Sequence, residues 1–557
     1  MKTKYILGAI LLLALMVSGC APAAPAKPAA AAVPKAEEAA APTEAPMQEK
    51  VLVVAAGIQS GESFDILNVS QTMEAHFMVY ETLVTIDYDY NFGPGLATSW
   101  DISEDGTVWT FHLREGVTFH DGSEFNANVV EWWIEQMKVG SNDYVFEPLT
   151  DVNVVDDYTI DMTFNGPYPN LLFNIASSFA GIPSMELFEK CGDTFGTTPE
   201  CTAGTGPFML EEWAQNDHLT LLQNPDYNWA PEWTGHTGPA NVNKIIVRII
   251  PEDATRTIEL EAGNVQFLID PPLPQELAKY QDDADFFVAQ APDPSVQFIG
   301  MNVNFPLLSD IRTRQAIGYA IDRDLILETI YQDIGDVRTT YLPAELGGDK
   351  GVAEVALGYD PEKSTALLTE VGWEMGDDGV LVAKTVEGVD SGTKFEVSYW
   401  TYQQDEYKRL AEVTRKMLAD IGIKADIQLM DNATYSDALH GEDTQLILRY
   451  YQWDNNDILE WFLHTKYLPY PNYLGLSDPA IDTMLDDANY DTAEWADRDT
   501  KYIQIHKDLI ENWYPWAPIR QRAKVFVGRS TVINFKPIPL KGLYTAVWTV
   551  IDLEPEQ

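Results

Sequence analysis

From Thr107 to Arg114 the residues alternate strictly, with Trp109, Phe111 and Leu113 on one side and Val108, Thr110, His112 and Arg114 on the other. A period of two marks a strand buried on one face. Glu104-Asp105-Gly106 and Glu115-Gly116 set turns before and after it, and Asp121-Gly122 sets a third beyond a short strand expected at Val117 to Phe119. The stretch therefore reads as a small meander, and His112 and His120 on its polar side have no serine or cysteine nucleophile beside them. The period then changes: Asn126 or Asn128 can cap a helix in which Val130, Trp133, Ile134 and Met137 recur at helical spacing. A similar change recurs later, where Leu410, Val413, Met417 and Leu418 predict an amphipathic helix over 405–420, closed by Gly422 and followed by a strand at Ala425 to Leu429. Strands and helices alternate without an internal repeat, and 557 residues exceed what one core supports. Two or three domains are expected.

The first twenty residues read as an export signal: Lys2 and Lys4 form a cationic start, Tyr5 to Val17 an apolar core, and Ser18-Gly19 lead into Cys20. Val17-Ser18-Gly19-Cys20 resembles the bacterial lipobox, which implies that Cys20 carries a diacylglycerol, and two acyl chains anchor a protein stably where one does not. Residues 21–50 hold 13 Ala and 6 Pro with no apolar periodicity, a tether spanning roughly 30 Å as a flexible chain and more with its prolines. The folded part starts near Val51.

Formal charge is −50, and excision of Lys2 and Lys4 with the signal brings it to −52. Such a surface repels nucleic acid. With 86 acidic residues, close carboxylate pairs arise by chance, so a glycosidase-type acid and nucleophile cannot be read from composition. Cys191 and Cys201 bound the loop "CGDTFGTTPEC", for which a disulfide is the natural reading outside the cytoplasm, stabilising by about 2 to 3 kcal/mol in the chain-entropy account. The eight histidines show no HxxxH or HExxH spacing, so no metal site and no cofactor are expected.

The segment "LATSWDISEDGTVWTFHLREGVTFHDGSEFNANVV" resembles the signature of the family 5 extracellular solute-binding proteins, receptors of peptide and nickel ATP-binding-cassette (ABC) importers. Further matches follow in family order: "GTGPF" from Gly204, "NPDYNW" from Asn224, "RIIPEDATRTIELEAGNV" from Arg248, "NFPLLSDIRTRQAIGYAIDRDLI" from Asn304 and "YDPEKSTALLTEVGW" from Tyr359. Each also has a local physical reading, such as Asp360 capping a helix that opens with Pro361, or Gly263 ending one. The resemblance implies an α/β, two-lobed periplasmic-binding-protein-like fold of type II, in the large class with an extra subdomain. Lobe I would comprise 51–78, 206–297 and 522–557, the subdomain 79–205, and lobe II 298–521. Crossings near 298 and 521 would let the cleft close like a hinge.

The same resemblance points to "LRYYQWDNNDILEWFLHT" as the ligand segment. Peptide-binding members place a Trp three residues before an Asp that pairs with the peptide's α-ammonium, then Asp-Pro and an aromatic. Asp454 matches the first acid, Asp457 the second and Trp461 the aromatic, whereas Tyr451 stands where the Trp would, Trp453 adjoins Asp454, and Ile458 replaces the Pro. Tyr399 and Trp400 end a strand expected to point at the cleft. The implied protein is a monomeric, lipid-anchored receptor outside the cytoplasmic membrane that hands a solute to ABC permease subunits and does no chemistry. A di- or oligopeptide is the leading ligand class and an oligosaccharide the alternative; His440 and His464 are the candidates for a nickel-binding reading. A tethered hydrolase is the competing class, and a signalling receptor presenting a captured solute is a third.

Overall fold

Two long antiparallel strands, Phe286–Met301 and Trp516–Arg529, pair along nearly their whole length, from Phe286 opposite Arg529 to Gly300 opposite Trp516. The pairing is interrupted between Pro292 and Val296, where Pro292 and Pro294 cannot donate to a ladder and are tolerated because the register breaks there. In this computed structural model the described residues are 49–554, apart from 58–62, 70–71, 270–273, 348–349, 442, 454, 493–494 and 537–543. The export signal, Cys20 and the tether up to Gln48 lie outside the described residues.

The paired strands form the middle of a mixed eleven-stranded sheet. Outward from Trp516–Arg529 come Phe267–Leu268, Val51–Ala56, Lys244–Ile249, His218–Gln223 and Phe208–Ala214; outward from Phe286–Met301 come Leu446–Gln452, Glu396–Tyr402 and Lys424–Met430. Glu396–Tyr402 and Lys424–Met430 run parallel, joined by the helix Asp405–Asp420, so this half is built on a strand–helix–strand crossover. Buried apolar side chains separate into two large clusters and a small one. The first includes Leu52, Val54, Phe208 and Ile245; the second draws on residues 296 to 519, among them Phe298, Trp373, Leu410 and Trp516; the third gathers around Leu260 and Val265. Both architecture and class are those expected from the sequence.

The meander is a four-stranded antiparallel sheet in the order Ala97–Ile102, Val108–Leu113, Thr159–Phe164, Leu149–Asp156. Trp109, Phe111 and Leu113 are buried as the alternation requires, and the helix Ala127–Met137 packs Val130, Trp133 and Met137 inward. Asn126 is its cap, accepting from the amides of Asn128 (3.0 Å) and Val129 (3.3 Å). The residues of the expected 79–205 subdomain share one buried cluster with Leu52 and Val54 of the large sheet, because the small sheet's apolar face is continuous with that core. Val117 to Phe119 is not a strand: it makes one isolated bridge, Thr118 to Glu124, and is held instead by His120, whose Nδ1 accepts from the Gly204 amide (3.3 Å) and whose Nε2 lies 2.8 Å from the Gly206 carbonyl. His112 faces Asp101 at 3.0 Å on the exposed side of the sheet. Both histidines belong to the scaffold.

The sequence blocks that carried the resemblance meet around one acid. Glu81 accepts from Thr205 of "GTGPF" (2.8 Å) and from Tyr227 (2.8 Å) and Trp229 (2.7 Å) of "NPDYNW". Burial pushes its carboxyl up to about 7 despite these bonds and the charge of Arg114. Cys191 and Cys201 are joined with their Cα atoms 5.9 Å apart, closing the short loop beside this region.

Candidate ligand cleft

The strand Leu446–Gln452 begins with three fully buried aliphatic residues and leaves the second core at its C-terminal end, delivering Gln452 and Trp453 to a cavity of about 850 Å³. The helix Ile458–Leu463 follows, with Asp457 at its start and Trp461 on its cavity side. The opposite wall comes from residues 144–179, packed on the first core and including Tyr144, Tyr168, Asn170, Phe173 and Phe179. The cavity thus lies between residues of the two large cores. Asn455 reaches across, its Nδ2 3.4 Å from Oδ1 of Asn170.

Asp457 sits in this cavity wall with Trp453 Nε1 donating to one carboxylate oxygen (2.6 Å) and Asn455 Nδ2 to the other (3.1 Å). Among the described residues no Lys or Arg makes an ion pair with it. Arg498 supplies only a longer-range field, being bonded to Asn456 and Asn489 (3.1 Å to the latter) and stacked on Tyr502. Burial pushes the Asp457 carboxyl up to about 6, against the charge of Arg498 and the bond from Trp453, and Glu460 adds to the rise. Glu460 itself is satisfied by Lys466 (2.5 Å), Tyr490 (3.1 Å) and Asn489. Aromatic faces line the space around the acid: Trp461 stacks on Tyr467 with centroids 4.9 Å apart, and Trp453 lies 6.2 Å from Trp461.

Of the residues expected at the ligand, Trp453, Asp457 and Trp461 come together here. Tyr451 is buried behind them, donating to the Tyr341 carbonyl, and borders an adjoining cavity of about 550 Å³. Tyr399 and Trp400 lie in the second core rather than at the cleft, with the Tyr399 hydroxyl 2.9 Å from Thr414 Oγ1. The reason is topological: their strand has Lys424–Met430 on one side and Leu446–Gln452 on the other, and the helix Asp405–Asp420 covers Tyr399. Tyr402, two residues on, is the one that reaches open space. Asp454 lies outside the described residues. His440 stacks on Tyr470 at 4.0 Å and His464 faces Asp482 and Asp486 at 3.3 Å each, away from the cavity lining. Among the described residues no group of three or more His, Cys, Asp or Glu is placed to hold a metal ion, and no helix is long and apolar enough to cross a membrane. The 144–179 wall was not anticipated; its only sequence signal is the aromatic- and Asn-rich run "NGPYPNLLFN" from Asn165.

The profile of the bacterial extracellular solute-binding proteins, family 5, matches residues 91–470, more than half of the chain and both walls of the cavity up to Tyr467. The chain belongs to that family. It is a solute-binding receptor. A glutathione-binding protein of Pectobacterium atrosepticum is 26% identical to the receptor over 525 residues, covering 91% of this chain and 93% of that one. A dipeptide-binding protein of Escherichia coli is 28% identical over 398 residues, 65% of the receptor and 68% of the relative. Among solved structures, the DppA periplasmic binding protein of Helicobacter pylori in complex with the peptide STSA superposes with a TM-score of 0.69 at 24% identity, covering 91% of the receptor and 98% of that chain. NikA of Brucella suis in complex with Fe(III)-EDTA gives 0.76 at 21%, with 91% and 100% covered. At these identities the structural likeness speaks for the fold.

Proposed function

We propose that the receptor captures a short peptide in the cavity between its two cores, holds the peptide's α-ammonium at Asp457, closes about hinges near 298 and 521, and hands the peptide to its permease without chemical change. The observation that carries this reading is a half-buried, partly desolvated carboxylate with hydrogen-bond donors but, among the described residues, no cation paired with it, set among aromatic faces. Such an ion is costly unless a counter-charge arrives, and a ligand ammonium supplies one. The volume falls within the usual range of about 300 to 1,000 Å³ for small-molecule sites. Trp453 and Trp461 shape the aromatic side, with Tyr451 behind them at the adjoining cavity.

Native mass spectrometry of the mature receptor, before and after unfolding, tests the ligand class. A ladder of peptide masses is expected; regular hexose spacing would move the reading to an oligosaccharide stacked on Trp461 and Tyr467. Calorimetry adds a direct check on the ammonium: N-acetylation of a bound peptide should lower affinity at least tenfold, and unchanged affinity would remove Asp457 from this role. Peptide masses altered by incubation with the receptor would overturn the receptor-only reading in favour of a hydrolase.

Membrane attachment through a lipid on Cys20 belongs to the same proposal. Changing Cys20 to Ala should move the receptor from the membrane pellet to the soluble envelope fraction, and continued retention in the pellet would count against lipidation at this residue.

A further inference from the structure

The two walls of the large cavity touch where residues 166–173 meet Asn455, Tyr490 and Trp495. Besides the Asn455 amide on Asn170 (3.4 Å), the Gly166 backbone lies so near the Tyr490 carbonyl that a Cβ on it would stand 3.7 Å away. Five residues after Tyr490, Trp495 opens the helix Trp495–Asp508. Tyr502 and Ile505 of that helix are buried in the second core, whereas the Trp495 ring turns to two aromatics packed on the first. It stacks on Phe173, with planes 8° and centroids 6.3 Å apart, and meets Phe92 edge to face at 5.3 Å and 89°.

Both separations lie in the range of favourable ring pairs. Arg498, one helical turn on, backs the indole with its guanidinium 4.7 Å from the ring, and is itself held by Asn456 and by Asn489 (3.1 Å). The ring is thus gripped from both sides: its helix and Arg498 belong to one wall, Phe92 and Phe173 to the other. Phe173 lines the cavity, while Phe92 and Trp495 lie beyond its lining, so Trp495 acts on an enclosed solute without touching it. Movement about hinges near 298 and 521 that parts the walls would return a half-buried indole and two half-buried phenyl rings to water, which is unfavourable.

We infer that Trp495 is the latch of the closed receptor: seated between Phe92 and Phe173, it holds the two walls together and sets how long a captured solute stays enclosed. It is a positioning residue. The inference rests on the closure stated above and adds to it the side chain that favours the closed form. A solute held only when the walls meet has to offset the free energy of bringing them together, so a contact that lowers this requirement raises affinity for any solute the cavity takes.

The test measures closure without any ligand. In a parent protein carrying Asn170→Cys, Asn455→Cys and Cys20→Ala, a short bis-methanethiosulfonate joins the two walls only when they meet, and the cross-linking rate follows the closed population even where that population is small. Two ring contacts of ordinary strength correspond to roughly tenfold in that population, so Trp495→Ala should slow cross-linking about tenfold and Trp495→Phe should restore part of the rate. Phe92→Ala and Phe173→Ala should each slow it, and Phe173→Ala added to Trp495→Ala should slow it no further, because the two residues share one contact. Losses that multiply, or a Trp495→Ala rate equal to the parent's, would overturn the latch and leave the peptide reading standing. A parent that never cross-links would overturn latch and closure together. If Trp495→Ala fails to fold, shown by a lost thermal transition, Phe92→Ala on the opposite wall decides in the same way.

Discussion

Replacing Asp457 with Asn should weaken peptide binding by about 1.5 to 3 kcal/mol, the scale of a hydrogen bond to a charged group, or roughly ten- to a hundredfold in Kd. The substitution keeps the shape and an acceptor for the Trp453 indole while the Asn455 amide loses its own, so the loss contains the missing charge and one hydrogen bond rather than a collapsed site. The wild-type receptor should show the same loss on acidification. The Asp457 carboxyl is pushed up to about 6, so as pH falls through that value it takes a proton and loses its attraction for the ligand ammonium, which stays charged across this range. The charged neighbours, Glu460 with its partner Lys466 and Arg498 with its asparagines, are bonded to one another's elements and remain as background. Stability of the empty receptor should move the other way. A carboxyl whose folded value is raised contributes stability that is fully present below about 3.9, the unfolded value, and lost as pH rises through about 6. Calorimetric titrations at pH 7.5 and 5 on wild type and Asp457→Asn check both statements: a pH dependence that survives in the variant would assign it to another group.

The largest effect on stability is expected at Glu81. Changing it to Ala leaves the Thr205 hydroxyl, the Tyr227 hydroxyl and the Trp229 indole without their shared acceptor, and all three residues are buried. A buried donor without a partner costs about 1 to 3 kcal/mol, and water entering the vacated space recovers part of that, so a loss of about 3 to 5 kcal/mol is expected. Glu81→Gln should lose much less, since its oxygen can still accept while the Tyr227 hydroxyl rotates to accept from the amide. The same variant should flatten part of the pH profile: the Glu81 contribution is present below about 4.3, the unfolded value, and is lost as pH rises through about 7, whereas Gln does not titrate. Denaturant unfolding of the three proteins at pH 5 and 8 measures this. A Glu81→Ala protein as stable as wild type would show that the segments around Glu81 are held by apolar packing alone.

The convergence on Glu81 also explains why the recurring blocks of sequence were so readable. "GTGPF" and "NPDYNW" lie apart in the chain, yet each supplies a donor to one carboxylate, and His120 of the meander ties to Gly204 and Gly206. Their residue types answer to a fixed polar geometry that tolerates little substitution. Such blocks speak of scaffold, and they led correctly to the fold while saying little about the ligand.

What the sequence determined by itself was local. The period of two at Thr107 to Arg114, the cap at Asn126, the helix Asp405–Asp420 and the bonded pair Cys191 and Cys201 follow from side-chain alternation, capping chemistry and short-loop closure, all of which act within a dozen residues or so. Only the tertiary structure decided which side chains face open space. Tyr399 and Trp400 were attractive by composition, but the strands that sandwich theirs put them in the core and leave Tyr402 at the edge. The wall from 144 to 179 meets Trp453 and Asp457 across nearly three hundred residues of chain. A charge reads the same in a sequence whether or not a partner reaches it. Desolvation and the missing counter-ion are properties of the packed molecule, and they are what set Asp457 apart from the other acids around the cavity.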